Sequence, residues 1–107
     1  MKVKVQDVLM LTAGLILSTS ALAADSAALL QKNNCSACHQ AVNKTVGPSL
    51  KMIADKYAGD PGAAAKLEAK VRKGGAGSFG NMPMPPTPAK VSDDDIKTMV
   101  ASILAGK

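Results

Sequence analysis

The most constraining feature of this sequence is the stretch Cys35-Ser36-Ala37-Cys38-His39. Its pattern is Cys-x-x-Cys-His, with two thiols about one helical turn apart and an imidazole directly after the second thiol. This spacing is typical of a c-type haem attachment site, where the thiols form thioethers to the two vinyl groups of a haem. The same turn aims the ring nitrogen of His39 at the iron. The motif therefore predicts one haem c, attached through Cys35 and Cys38, with His39 as an axial ligand.

The start of the chain has the pattern of a secretory signal peptide. Lys2 and Lys4 form a basic region, residues 8–17 are mostly apolar, and Ala21-Leu22-Ala23 is a small-x-small cleavage sequence. A single transmembrane anchor is the alternative, but the apolar run is well short of the roughly 20 residues that span a bilayer. We therefore expect residues 1–23 to be removed by cleavage.

The remaining residues, 24–107, are enough for one small domain. The chain has one Tyr, one Phe and no Trp, although aromatic side chains usually fill much of a core. A domain of this size is marginally stable from its own core. A buried haem would supply the missing apolar surface, so the composition independently favours a prosthetic group.

The formal net charge is +5, and it stays positive when Lys2, Lys4 and Asp7 leave with the signal peptide. A modestly basic surface speeds association with acidic partners. Nucleic-acid binding is not expected, because the lysines are dispersed and no aromatic residues alternate with them.

Helix signals recur along residues 24–107, and no segment alternates like a strand. Asp25 or Ser26 is expected to cap a short first helix, and Ser49 a second. Asp60 is the expected N-cap of a third, with Pro61 at its first position and Gly74 at its end. The apolar stripe of the second helix is predicted to contain Leu50, Ile53, Ala54 and Tyr57.

A last helix is predicted to begin at Ser92, with Asp95 completing a short form of the capping box. It is expected to end at Gly106. The fold class is therefore all-α, with four short helices. Between the third and last helices, residues 74–91 contain four glycines and four prolines, and a loop of that length in so small a domain is usually functional.

The sixth ligand of the iron is open on the residues alone, because His39 is the only histidine. A methionine, a lysine, an exogenous molecule or no ligand would each be compatible. Met52 and Met99 lie on or beside predicted helix stripes and are expected to fill the core. Met82 and Met84 lie in the Gly/Pro loop. Met84 has proline on both sides, which stiffens the backbone, so it is the preferred ligand.

These motifs resemble a known family. The attachment motif, then Gly47-Pro48, then Met82-Pro83-Met84-Pro85-Pro86 and Val91-Ser92-Asp93-Asp94 look like the small bacterial class I cytochromes c of the cytochrome c-551 (c8) type. The resemblance covers nearly all of residues 24–107. It implies a class I cytochrome c fold, with four short helices wrapped around one covalently attached haem and with the first and last helices packed across each other.

The resemblance also implies a set of roles. It implies that His39 and Met84 are the axial ligands and that the Pro48 carbonyl accepts the ring N–H of His39. We therefore expect a periplasmic, monomeric one-electron carrier of a Gram-negative bacterium, without an enzymatic activity of its own. Its expected partners are respiratory redox proteins with acidic docking surfaces, and no stable membrane insertion is expected after signal cleavage.

The sequence departs from many relatives at two positions. Phe79 stands where they have a Trp whose indole N–H reaches a haem propionate, so that bond cannot form here, although the ring can still pack on the haem. Ser102 stands where an aromatic residue is common. Lys70, Arg72 and Lys73 crowd the end of the third helix, where one of them can neutralise a propionate or simply complement the helix dipole.

Three other functions use the same kinds of residue. An enzyme or gas sensor would need an open sixth position on the iron. A thiol–disulfide oxidoreductase using Cys35 and Cys38 would need strands in a thioredoxin-like context, which the sequence lacks. A structural zinc site would need four ligands, and two Cys with one His fall short of that number.

Overall fold

The computed structural model describes the backbone of residues 18–106 and the side chains of residues 25–106. Helix α1 spans Ser18–Lys32, so the prediction of a short helix capped by Asp25 or Ser26 was wrong. Alanine and leucine are frequent on both sides of Asp25, and as strong helix formers they continue the helix through that position. Most of the predicted signal peptide, residues 1–17, lies outside the described residues.

Helix α2 spans Leu50–Lys56 and begins as predicted after Ser49. The Ser49 hydroxyl accepts a hydrogen bond of 3.1 Å from the Met52 N–H, and the whole residue is buried. The predicted apolar stripe is confirmed, with Ile53 buried and Tyr57 packed against the core. Met52 is 38% exposed, so its prediction as a core residue was wrong; it lies beside the stripe.

Helix α3 spans Ala63–Lys73, and its N-cap is Gly62 instead of the predicted Asp60. The Asp60 carboxylate accepts a hydrogen bond of 2.8 Å from the Gly62 N–H. That bond closes a turn before the helix, so Pro61 lies in the turn and outside the first helical position. The predicted end of the helix is confirmed, because Gly74 follows it with φ of 69°, a conformation that glycine adopts at little cost.

Helix α4 spans Asp93–Leu104 and has Ser92 as its N-cap, as predicted. The Ser92 hydroxyl accepts a hydrogen bond of 3.1 Å from the Asp95 N–H. Three acidic residues in the first turn complement the positive end of the helix dipole. This helix supplies the most deeply buried apolar residues, Ile96, Met99 and Val100, so the core position of Met99 is confirmed.

Helix α4 is the centre of the packing, because α1, α2 and α3 each contact it. The predicted contact between the first and last helices is therefore present. Within residues 18–106 the only strand-like pairings are two isolated bridges, His39 with Lys44 and Gly75 with Met84, which confirms the all-α class. None of the helices in this part of the chain has the length and hydropathy to cross a membrane.

Candidate haem-binding site

A cavity of about 330 Å³ lies between the helices and the Gly/Pro loop. Its lining includes every residue that the sequence predicted for the site: Cys35, Cys38, His39, Pro48, Phe79 and Met84. Apolar side chains from all four helices form much of the remaining wall, including Leu30, Ile53, Leu67, Val71, Val100 and Ile103. The fold thus brings the attachment motif and the methionine loop, which are more than forty residues apart in the sequence, to one apolar space.

The two thiols are presented by a 3-10 turn, Cys35–Ala37. The Cys35 carbonyl accepts hydrogen bonds from the N–H groups of Cys38 at 3.2 Å and His39 at 2.9 Å, which holds all three motif residues in a single turn. Both cysteines are free and half-buried. Burial raises the pKa of the Cys35 thiol, and the nearby Cys38 raises it further. Two reduced thiols at the wall of an apolar cavity are the groups that thioether attachment requires.

The His39 ring is oriented by a hydrogen bond of 2.7 Å between Nδ1 and the Pro48 carbonyl oxygen. Because a carbonyl only accepts, Nδ1 is the protonated nitrogen of the neutral ring, and the lone pair of that tautomer is on Nε2. A contact of this kind fixes the orientation of a metal-binding imidazole and raises its basicity. Gly47 allows the ring to lie here, since a Cβ at Gly47 would be 2.8 Å from Cε1 of His39.

Met84 is held through its backbone to the end of helix α3. Its N–H and carbonyl exchange two hydrogen bonds with Gly75, each 2.9 Å long. Gly74 makes this approach possible, because a Cβ on Gly74 would lie 2.8 Å from both the Pro85 carbonyl carbon and the Pro86 nitrogen. The Met84 side chain is half-buried, whereas Met82 is 65% exposed.

Phe79 packs partly buried against the hydrophobic core. The ammonium group of Lys56 lies 4.4 Å from the centre of its ring, within the range of a cation–π interaction. Lys56 also donates to the Ser78 carbonyl. These contacts of Lys56 could not be predicted from the sequence, because their partners lie 22 residues and more further along the chain.

The three basic residues at the end of helix α3 have different surroundings. Lys70 lines the cavity, and Lys73 is exposed. The guanidinium of Arg72 is bonded to protein groups instead: to the Pro88 carbonyl at 3.0 Å, the Val91 carbonyl at 2.7 Å and the Asp93 carboxylate at 2.7 Å. Of the three candidates for a propionate contact, only Lys70 lies at the cavity.

These residues fit a covalently attached haem. Two free thiols one turn apart, an imidazole whose Nε2 is not the proton-bearing nitrogen, and a largely apolar wall meet in one cavity. Fold and site together define a small all-α haem protein that holds its prosthetic group by covalent bonds.

The comparisons with known proteins identify the family. The family model for cytochrome c matches residues 23–107, and the chain belongs to the cytochrome c family. It is a small class I c-type cytochrome that carries one haem c, attached through Cys35 and Cys38, and it functions in electron transport. The resemblance found in the sequence is thereby confirmed.

Proteins of several bacteria are similar over most of the chain. Cytochrome c2 of Rubrivivax gelatinosus is 48% identical over 82 residues, which are 76% of this chain and 96% of that protein. Cytochrome c-551 of Pseudomonas aeruginosa is 39% identical over 98 residues, 92% of each chain. The crystal structure of wild-type cytochrome c552 from Nitrosomonas europaea superposes with a TM-score of 0.71 at 49% identity, covering 76% of this chain and 99% of that one.

Proposed function

We propose that this cytochrome carries single electrons between redox proteins of the periplasm, with His39 and Met84 as the two axial ligands of its iron. The observation that carries the proposal is the double backbone bond between Gly75 and Met84, which fixes the Met84 loop at the cavity that His39 also lines. The bound haem supplies a one-electron Fe(II)/Fe(III) couple, and the residues of the chain hold and shield it.

His39 is suited to be the proximal ligand. The Pro48 carbonyl accepts the proton of Nδ1, so Nε2 is the nitrogen with which the neutral ring would coordinate the iron. His39 follows Cys38 directly, so the two thioethers and the imidazole are attached within one turn of backbone. That short connection would place the imidazole beside a haem attached at both cysteines.

Met84 is better suited than Met82 to be the distal ligand. A thioether sulfur is a neutral, soft ligand, and with His it raises the reduction potential of a haem relative to harder ligands. Met84 is half-buried, lines the cavity and has its backbone fixed at Gly75. Met82 also lines the cavity, but at 65% exposure it lies largely in solvent.

With both axial positions filled by the chain, the site offers no coordination position for a substrate. The protein then exchanges electrons without binding small molecules at iron, and it is a carrier with no catalytic activity of its own. This is the reason to prefer it over an enzyme or gas sensor, each of which needs an open position.

Docking is proposed to occur where the cavity reaches the surface. Val46 and Met82 line the cavity and are also 55% and 65% exposed, which gives an apolar patch beside the cavity that would hold the haem. Lys44 and Lys70 line the same cavity and give its margin a positive charge. Such a margin attracts partners with acidic surfaces and accelerates encounter more than it strengthens binding.

Location and processing follow from the first residues of the sequence. The basic start, short apolar run and Ala21–Ala23 support export to the periplasm and cleavage after Ala23. The domain would then be residues 24–107, active as a monomer. Mass spectrometry of the protein purified from the periplasm tests this, and a retained N-terminal segment would contradict it.

Binding of carbon monoxide distinguishes an electron carrier from an enzyme or gas sensor with an open position on the iron. The reduced protein, produced with its haem attached, is mixed with carbon monoxide at neutral pH while the visible spectrum is recorded. A closed His39/Met84 site predicts little or slow binding. Rapid and complete binding in the wild type would reject Met84 as a ligand and favour an open-site enzyme or sensor.

A further inference from the structure

We propose that Arg72 is a positioning residue for Met84: its guanidinium fastens the segment that follows Met84 to helix α3, and so keeps the sulfur ligand from leaving the iron. This inference rests on the proposed ligation by Met84. It concerns a residue that the sequence suggested only as a partner for a haem propionate.

The side-chain hydrogen bonds of Arg72 all go to residues 88–93, the segment that follows Met84 and the two prolines after it. One side-chain nitrogen donates to the Pro88 carbonyl at 3.0 Å, and the other donates to the Val91 carbonyl at 2.7 Å and the Asp93 carboxylate at 2.7 Å. The Arg72 side chain is 30% exposed, so these bonds are partly shielded from water. Hydrogen bonds from a charged donor are stronger than those between neutral groups.

These contacts require the planar, forked guanidinium of an arginine. Pro88 and Val91 are joined by a turn, in which the Val91 N–H donates to the Pro88 carbonyl at 3.0 Å. One planar guanidinium reaches both carbonyls of that turn. A lysine ammonium is a single compact charge without the fork, so it cannot reproduce this arrangement.

The contact with Arg72 is one of three that hold the loop on helix α3. On one side of Pro85-Pro86, Met84 is paired with Gly75; on the other side, the Thr87 N–H donates to the Val71 carbonyl at 3.2 Å. Arg72 then fixes the turn from Pro88 to Val91. The segment is therefore attached to the end of helix α3 both before and after Pro85-Pro86, and releasing either attachment gives Met84 freedom to move.

A foreign ligand can reach the iron only when Met84 is displaced. The apparent affinity of the protein for such a ligand therefore rises in proportion to the fraction of molecules in which the loop is open. Removing the Arg72 fork weakens the closed state and increases that fraction. Weak ligands such as imidazole thus report on the attachment of the loop even when the protein stays folded.

The test is a titration of the ferric, haem-loaded protein with imidazole, following the far-red absorption band that a methionine sulfur gives to ferric haem. Arg72→Gln is expected to bind imidazole about tenfold more tightly than the wild type, which corresponds to ~1.4 kcal/mol. Lys73→Gln, an exposed neighbour on the same turn, is the matched control and should not change the affinity. Asp93→Asn should change it less than twofold, because Asp93 is 86% exposed.

Urea unfolding of the same variants separates positioning from general stability. If Arg72→Gln lowers the urea midpoint but leaves the imidazole affinity unchanged, Arg72 is only structural and the proposal is wrong. Should Arg72→Gln fail to retain a folded domain, Arg72→Lys takes its place: a few-fold gain in imidazole affinity supports the fork, and a wild-type affinity rejects it.

Met84→Ala distinguishes failure of this inference from failure of the proposed ligation. If Met84→Ala loses the far-red band while Arg72→Gln matches the wild type, Met84 is a ligand that Arg72 does not position. If Met84→Ala keeps both the band and the wild-type imidazole affinity, the proposed ligation itself is wrong and Arg72 has no ligand to position.

Discussion

Gly75 and Met84 are paired through two reciprocal backbone hydrogen bonds of 2.9 Å, at the point where helix α3 ends and the Gly/Pro loop begins. The pairing needs a close approach of two backbones. It is Gly74, the preceding residue, that permits it, because any side chain there would collide with the backbone from Met84 to Pro86. The position of the proposed ligand therefore depends on a residue that has no side chain.

Gly74→Ala is expected to displace the Met84 loop. Both Gly74 and Gly77 have positive φ, 69° and 111°, so alanine at either position costs about 1–3 kcal/mol of backbone strain. Only at Gly74 does the new Cβ also meet backbone atoms, whereas at Gly77 nothing lies within 4 Å. We expect Gly74→Ala to lower the free energy of unfolding by at least ~1 kcal/mol more than Gly77→Ala, measured by urea unfolding.

The same pair of variants has a spectroscopic consequence. Gly74→Ala should weaken the far-red band of the ferric protein and Gly77→Ala should leave it intact. Equal effects of the two substitutions on both measurements would mean that backbone strain alone explains them, and that the contact of Gly74 with the loop has no part in ligation.

Gly47→Ala is expected to disturb the imidazole ligand. The added Cβ would lie 2.8 Å from Cε1 and 3.1 Å from Nδ1 of His39, so the ring must shift and its bond to Pro48 must lengthen. Because that bond sets the basicity of the imidazole, the reduction potential should change. The loss of stability is expected to be about 1–3 kcal/mol, the usual cost of overpacking.

Gly62→Ala is the control for this prediction. Neither Gly47 nor Gly62 is among the glycines with positive φ, and a Cβ at Gly62 would meet its nearest atom, Oδ1 of Asp60, at 3.4 Å. It lies away from His39, at the start of helix α3, so the potential should stay at the wild-type value. A wild-type potential in Gly47→Ala as well would show that the ring tolerates the added methyl group.

Met84→Ala and Met82→Ala test the choice of ligand directly. Replacing a sulfur ligand should lower the reduction potential by on the order of 0.1 V or more, since axial ligands set haem potentials over a range of about 0.8 V. Met82→Ala should barely move the potential, because the exposed side chain is not coordinated. Potentiometric titration of both variants is the measurement, and the reverse result would assign the ligand to Met82.

Asp60 is expected to contribute to the pH dependence of stability. Its pKa is lowered, first by the hydrogen bond from Lys66 at 2.8 Å and then by the Gly62 N–H. A carboxyl group with a lowered pKa stabilises the fold above its ordinary pKa, about 3.9, and this contribution is lost as the pH falls through the lowered value. The urea midpoint of the wild type should therefore fall from about pH 4 downward.

Asp60→Asn should make that fall shallower, because the substituted side chain does not titrate. Lys66→Gln should have a smaller effect in the same direction, since the Gly62 N–H still favours the ionised carboxylate. If the urea midpoint of Asp60→Asn falls with pH as steeply as that of the wild type, other acidic groups account for the acid sensitivity.

The two serine N-caps could be predicted from the sequence, because each depends on a hydrogen bond between residues close together in the chain. Ser49 and Ser92 cap their helices through a bond to an N–H three residues ahead, and this geometry can be inferred from neighbouring residues alone. Asp60 shows the limit of such inference. A carboxylate that bonds to the second N–H ahead is common both to a helix cap and to a separate turn, so the sequence did not reveal that the helix starts later.

Contacts between distant parts of the chain could not be predicted in this way. The partners of Arg72 lie 16 to 21 residues away, beyond a loop whose path no periodicity describes. The exposure of Met52 depends on which helices cover α2, and the early start of α1 depends on the helix-forming residues before Asp25. For the site itself, residue identities and spacing placed Cys35, Cys38 and His39 correctly in one turn. The bond from His39 to the Pro48 carbonyl, which the family resemblance implied, is also present.

Covalent attachment of haem in the apolar cavity between the helices and the Gly/Pro loop affects the stability of this protein at low haem concentration. A cofactor that binds reversibly stabilises a fold only in proportion to the logarithm of its free concentration, and the effect disappears when the cofactor is scarce. Thioethers to Cys35 and Cys38 remove that dependence. The domain keeps its haem, and with it the apolar core that its few aromatic residues do not provide, at any concentration of free haem. The haem also cannot pass from one protein molecule to another.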